Sequence, residues 1–167
     1  MALLYLGGLI SFLVQLRITP FATAQAASML PFATTVLIVK FSDTCQYFVG
    51  RNFGRRKLAP IVSPGKTWEG AIGGIGLCIL IMATVLVTFD AFPDGVGGWL
   101  RTALYCLLLC VAGIVGDLIE SMLKRDAGVK DSSNWLRGLG GVMDMIDSLL
   151  LAAPVSYACW LLGLLTP

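Results

Sequence analysis

The sequence contains no histidine, which excludes an imidazole base, a histidine metal ligand and a histidine pH switch. Charge is scarce as well: Asp, Glu, Lys and Arg make up only 13% of the 167 residues, about half the share of an ordinary soluble domain. There is no CxxC pair. The five cysteines, Cys45, Cys78, Cys106, Cys110 and Cys159, fall in apolar runs and read as small buried side chains, not as a disulfide frame or a zinc site. Any chemistry must therefore use carboxylates, lysines, arginines and hydroxyls.

Apolar length is what the chain has in abundance. Apolar residues make up 57% of it and glycine adds 19 more, a balance that argues against a water-soluble globule and for an integral membrane protein. The apolar runs are long and continuous, whereas a membrane barrel needs short strands of alternating polarity. The expected fold is all-α, a polytopic integral membrane helical bundle of about five transmembrane helices, forming a single domain over residues 1–167.

The runs lie at about residues 2–16, 26–50, 70–89, 100–122 and 148–165. The first lacks the positive flank and cleavage site of a secretory signal and reads as a retained span. The second carries Lys40 and Asp43 near its end, three residues apart, and these either line a polar opening or pair with Arg125. Asp90, Pro93, Asp94 and Gly95 mark a tight connection. Polar stretches over residues 51–69 and 124–147 hold nine of the twelve Lys and Arg residues. A helical hairpin separates them, so both belong on one side, which the positive-inside rule makes cytoplasmic.

Asp117, Ser121, Lys124 and Arg125 follow at i, i+4, i+7 and i+8, one face of the helix leaving the fourth run. That face suits a metal and phosphates together, or a structural ion pair of Asp117 with Lys124 or Arg125. The stretch GLGGVMDMIDS over residues 138–148 places Asp144 and Asp147 at a helix start, where carboxylates either cap the helix or join a metal site. SPGKTWEG over residues 63–70 offers backbone amides, a lysine and hydroxyls to phosphate, or a basic loop to anionic headgroups. It is not a P-loop, because the glycine required at position 60 is Pro60.

Taken together, SMLKRDAGVKD over residues 121–131 and the GGxxDxxD of residues 140–147 resemble the signature of CDP-diacylglycerol synthases, also called phosphatidate cytidylyltransferases. SDTCQYFVGRNFG from Ser42 and SPGKTWEG from Ser63 are similar to further stretches of that family in order and spacing, so the resemblance covers roughly residues 36–150. It implies an enzyme of the bacterial-type cell membrane, with its site facing the cytoplasm. The enzyme would join CTP to phosphatidic acid, yielding CDP-diacylglycerol and pyrophosphate with Mg2+ and a monovalent cation such as K+. It implies no nucleic-acid partner.

By the same resemblance Asp117 and Asp144 are the metal-binding aspartates and Asp147 supports them. Ser121, Lys124 and Arg125 would contact phosphates, Lys130 and Asp131 would shape the polar cavity, and Ser63, Lys66 and Thr67 would lie near the nucleotide. Asp117, Lys124 and Asp144 are the expected catalytic set. The family's usual PGHGGxxDRxD here reads RGLGGVMDMID, with Arg137, Leu139 and Met145 in place of proline, histidine and arginine. Two competing readings are a CTP-dependent lipid kinase of the dolichol type and a non-catalytic membrane scaffold or transporter subunit. Gly7, Gly8, Gly73, Gly74 and Gly76 permit close helix packing, within one chain or in a homodimer.

Overall fold

A computed structural model describes residues 2–19, 29–89, 95–126, 128 and 142–165, with side chains from residue 7 onward and, in the last segment, from residue 146 onward. Five α-helices are described: α1 (Ala2–Ile18), α2 (Leu30–Phe53), α3 (Trp68–Thr88), α4 (Gly95–Asp126) and α5 (Val142–Leu161). One departure from the all-α expectation lies in the basic stretch after α2. Strands β1 (Lys57–Ala59) and β2 (Ser63–Thr67) form a small antiparallel hairpin, with Lys57 opposite Thr67 and Ala59 opposite Ser63.

A two-stranded hairpin is marginal by itself, and this one is held by the helix that follows it. The Glu69 carboxylate accepts hydrogen bonds from the backbone N–H groups of Arg55 and Arg56, both at 3.0 Å to Oε2. Trp68 N–H donates to Arg56 O at 3.0 Å, and Thr67 caps α3 by accepting from Gly70 N–H at 3.1 Å. An acidic residue in the first turn also suits the positive end of the helix.

Among the described residues two helices, α3 and α4, are long and apolar enough to cross a membrane. The apolar stretches of α1 and α5 are shorter, and α2 carries Lys40, Asp43 and Arg51. Along α4, Leu100, Leu104, Leu107, Val111 and Val115 are exposed on one stripe, while Thr102, Tyr105, Cys106, Leu109 and Gly113 face inward. An outward stripe of this kind is what lipid, not water, would cover. All five cysteines are buried and free, as expected.

Apolar burial gives little drive between helices in lipid, so close fit and internal hydrogen bonds must hold the bundle. A Cβ at Gly74 would come within 2.5 Å of Gln46 Cα, and one at Gly73 within 2.8 Å of Val49 Cγ1. These two glycines therefore serve the α2–α3 contact inside the chain. A buried polar knot ties α2, α4 and α5: the Ser156 hydroxyl lies 2.6 Å from that of Thr35 and 2.8 Å from Tyr105 Oη, and Trp160 Nε1–H donates to Tyr105 Oη at 3.4 Å.

Candidate active site

The ends of α2, α4 and α5 and the strand β2 surround a cavity of about 660 Å³. Helix α2 supplies Lys40, Asp43, Tyr47 and Arg51, spaced so that each successive side chain returns to the same face. Strand β2 supplies Ser63, Lys66 and Thr67, α4 supplies Asp117, and α5 supplies Asp147.

Small residues bring these groups together. A Cβ at Gly116 would meet Asp147 O at 2.9 Å, and one at Gly113 would meet Ser148 Cβ at 3.8 Å, so α5 rests directly on α4 beside Asp117. On the other side, a Cβ at Gly70 would fall 2.8 Å from Gly50 Cα, which lets the start of α3, and the strand leading into it, lie against α2.

The Lys66 ammonium lies 2.5 Å from Asp117 Oδ2, with both side chains less than a third exposed. Ser121 Oγ–H donates to Asp117 Oδ1 at 3.3 Å. The structural pairing considered for Asp117 with Lys124 or Arg125 is thereby replaced: its cation comes from the hairpin. Lys124 instead stands 2.9 Å from Glu120 Oε1, and Arg125 lies at the rim of a separate apolar groove formed with Val62, Ile119, Met122 and Leu123. Of the expected substrate-binding residues, then, Ser63, Lys66 and Thr67 line the cavity and Ser121 touches a residue that does, while Lys124 and Arg125 are not among its lining residues.

Asp43 has Lys40, not Arg125, as its cation. Lys40 Nζ lies 3.4 Å from Asp43 Oδ2 and donates to Ser148 Oγ at 2.9 Å, and Ser148 Oγ–H donates to Asp43 Oδ2 at 3.1 Å. This triangle fixes the start of α5 against α2. Asp147, beside it, is buried and accepts from the backbone N–H of Ser148. Asp43 is the cavity carboxylate that motif reading left undecided. The helical spacing of Lys40, Asp43, Tyr47, Gly50 and Gly54 was the signal that could have placed it.

Among the described residues no group of three or more Cys, Asp or Glu side chains is close enough to hold a metal ion. Asp117 and Asp147 nonetheless offer hard oxygen donors to one cavity, the donor type Mg2+ takes. Lys130, Asp131 and the Asp144 side chain lie outside the described residues, as do Arg137, Leu139 and the Met145 side chain. Among the described residues the cavity is lined by the cations Lys40, Arg51, Lys57 and Lys66 and the carboxylates Asp43, Asp117 and Asp147.

Comparison with known proteins adds the following. A family model described as "Cytidylyltransferase family" matches residues 1–162. The chain is 48% identical over 122 residues to a phosphatidate cytidylyltransferase of Haemophilus influenzae, covering 71% of this chain and 41% of that protein. It is 44% identical over 129 residues to one of Pseudomonas aeruginosa, covering 77% and 46%, and 42% identical over 121 residues to one of Bacillus subtilis, covering 72% and 44%. The chain thus spans less than half the length of these relatives.

Proposed function

Since the chain belongs to the cytidylyltransferase family, we propose that it transfers the cytidylyl group of CTP to phosphatidic acid, giving CDP-diacylglycerol and pyrophosphate. The observation that carries this reading is the meeting of Lys66 from the SPGKT strand with Asp117 from the helix of the long signature, in one cavity that Asp147 also lines.

A phosphate oxygen of phosphatidic acid forms a bond to the α-phosphorus of CTP as the bond from that phosphorus to the α,β-bridging oxygen breaks, that oxygen leaving on pyrophosphate and in line with the attacking one. No base is needed to remove a proton, because a phosphomonoester has its second pKa near ~6 and is largely dianionic at neutral pH. A chain without histidine can therefore run the reaction, with placement and charge as the catalytic devices.

Lys66 is paired with Asp117 and would turn to the nucleotide phosphates when they compete for it. A Cβ at Gly65 would meet nothing within 4 Å, so the strand is open on that side to an approaching phosphate. Mg2+ would be held by Asp117 and Asp147 with Asp144, and it would supply charge neutralisation and polarisation at phosphate oxygens. K+ is proposed as a second, monovalent requirement, from family resemblance alone.

The same reading has the helices cross the bilayer as five spans, with the hairpin and the last turns of α4 on the cytoplasmic side. Val62 and Arg125 line one groove, so these basic segments share an end of the molecule, in keeping with the positive-inside rule. There CTP arrives from water while phosphatidic acid arrives from the membrane.

The test is reconstitution of the chain in vesicles with CTP, phosphatidic acid and Mg2+, measuring CDP-lipid, pyrophosphate and CDP together. CDP-diacylglycerol and pyrophosphate in equal amounts, lost in Asp117→Asn and in Asp144→Ala, are expected. Release of CDP with phosphorylated lipid would mean a kinase, and no turnover in the unaltered chain would overturn the proposal.

A further inference from the structure

The turn of the β1–β2 hairpin has the wrong chemistry for water. Turns exposed to solvent favour Gly, Pro, Asn, Asp and Ser, whereas this one follows Pro60 with two β-branched apolar residues, Ile61 and Val62. Ile61 is 89% exposed, more than any other large apolar side chain described, and Pro60 is exposed beside it.

Val62 turns the other way and lines the apolar groove with Ile119, Met122 and Leu123 of α4, so the apolar surface is continuous from the turn to the outer face of a helix long enough to cross a bilayer. Behind the tip, Arg55, Arg56 and Lys57 are all exposed at the base of the hairpin. The backbone there is pinned to Glu69, so tip and basic base keep a set relationship.

We propose that the β1–β2 hairpin is an interfacial anchor, its Pro60–Ile61–Val62 turn lying among the lipids and its basic base on anionic headgroups. An apolar tip ahead of a basic base is the pattern of segments that lie in the membrane interface, where burial of the tip and attraction to anionic lipid add. The anchor would hold strand β2, and with it Lys66, at the depth of a lipid headgroup. The inference rests on the reading that α3 and α4 cross the bilayer.

The test places an environment-sensitive fluorophore on Ile61→Cys of the whole chain in vesicles containing phosphatidylglycerol, the native cysteines being buried. Blue-shifted emission, quenched by spin-labelled acyl chains and not by aqueous iodide, is expected. Both effects should weaken in phosphatidylcholine vesicles and in the Arg55→Glu, Arg56→Glu, Lys57→Glu triple variant. Water-like emission quenched by iodide, or indifference to both charge changes, would overturn the anchor. A second label at Leu104→Cys, on the outer stripe of α4, separates the two failures. Lipid quenching there with an aqueous Ile61 label refutes the anchor alone, whereas an aqueous Leu104 label refutes the membrane reading and the anchor with it.

Discussion

The ammonium of Lys66 and the carboxylate of Asp117 meet at 2.5 Å, one from a short strand and the other from the longest helix, and this contact closes the hairpin over the end of α4. The pair is only partly buried, so its worth lies in position more than in stability. Lys66→Met and Asp117→Asn should each lower cytidylyl transfer by about a hundredfold or more, the usual scale for losing a charge aimed at the reacting phosphates. The double variant should lose much less than the product of the two. Turnover measured for all four forms checks this.

Gly74 should tolerate no side chain. Its built Cβ falls 2.5 Å from Gln46 Cα, a backbone atom that cannot swing aside, so Gly74→Ala should cost roughly 1–3 kcal/mol through overpacking. Gly76→Ala, with nothing within 4 Å, should leave the melting temperature in detergent unchanged or slightly raised.

The knot around Ser156 yields an ordering. Ser156→Ala takes a partner from Thr35 and Tyr105 but leaves those two hydroxyls 3.3 Å apart, and should cost about 1 kcal/mol. Tyr105→Phe takes a partner from Thr34, Thr35, Ser156 and the Trp160 indole N–H at once and should cost more. Chemical unfolding of both variants, compared with the parent, decides the order.

Glu69 is predicted to act at a distance from any substrate. Glu69→Ala frees the Arg55 and Arg56 amides, so hydrogen exchange over residues 55–67 should accelerate while the helices stay protected. Because Lys66 rides on that hairpin, KM for CTP should rise more than kcat falls. Glu69→Gln, which keeps an acceptor oxygen, should recover part of both.

Much of this was readable along the chain. Run length and the scarcity of charge pointed to apolar helices, and α3 and α4 have the length and apolarity for a span. Asp117 and Ser121 at i and i+4 were placed on one face by helix geometry alone, and their side chains do touch at 3.3 Å. The hairpin was missed because its strands hold three and five residues, too short for a period to show, and its order comes from Glu69, which lies beyond both strands.

Local chemistry and periodicity, which operate within a few residues, are therefore what the amino-acid order determined: the helices, the thiols without bridges, the signature aspartates and the basic stretches. Partners were decided only by the folded bundle. Lys66 was free to choose among several carboxylates, and Asp43 between Lys40 and Arg125, until glycines at positions 50, 70, 74, 113 and 116 let the helices approach closely enough to select one. Charge pairing acts through space, and distances in space between remote residues exist only once the helices have packed.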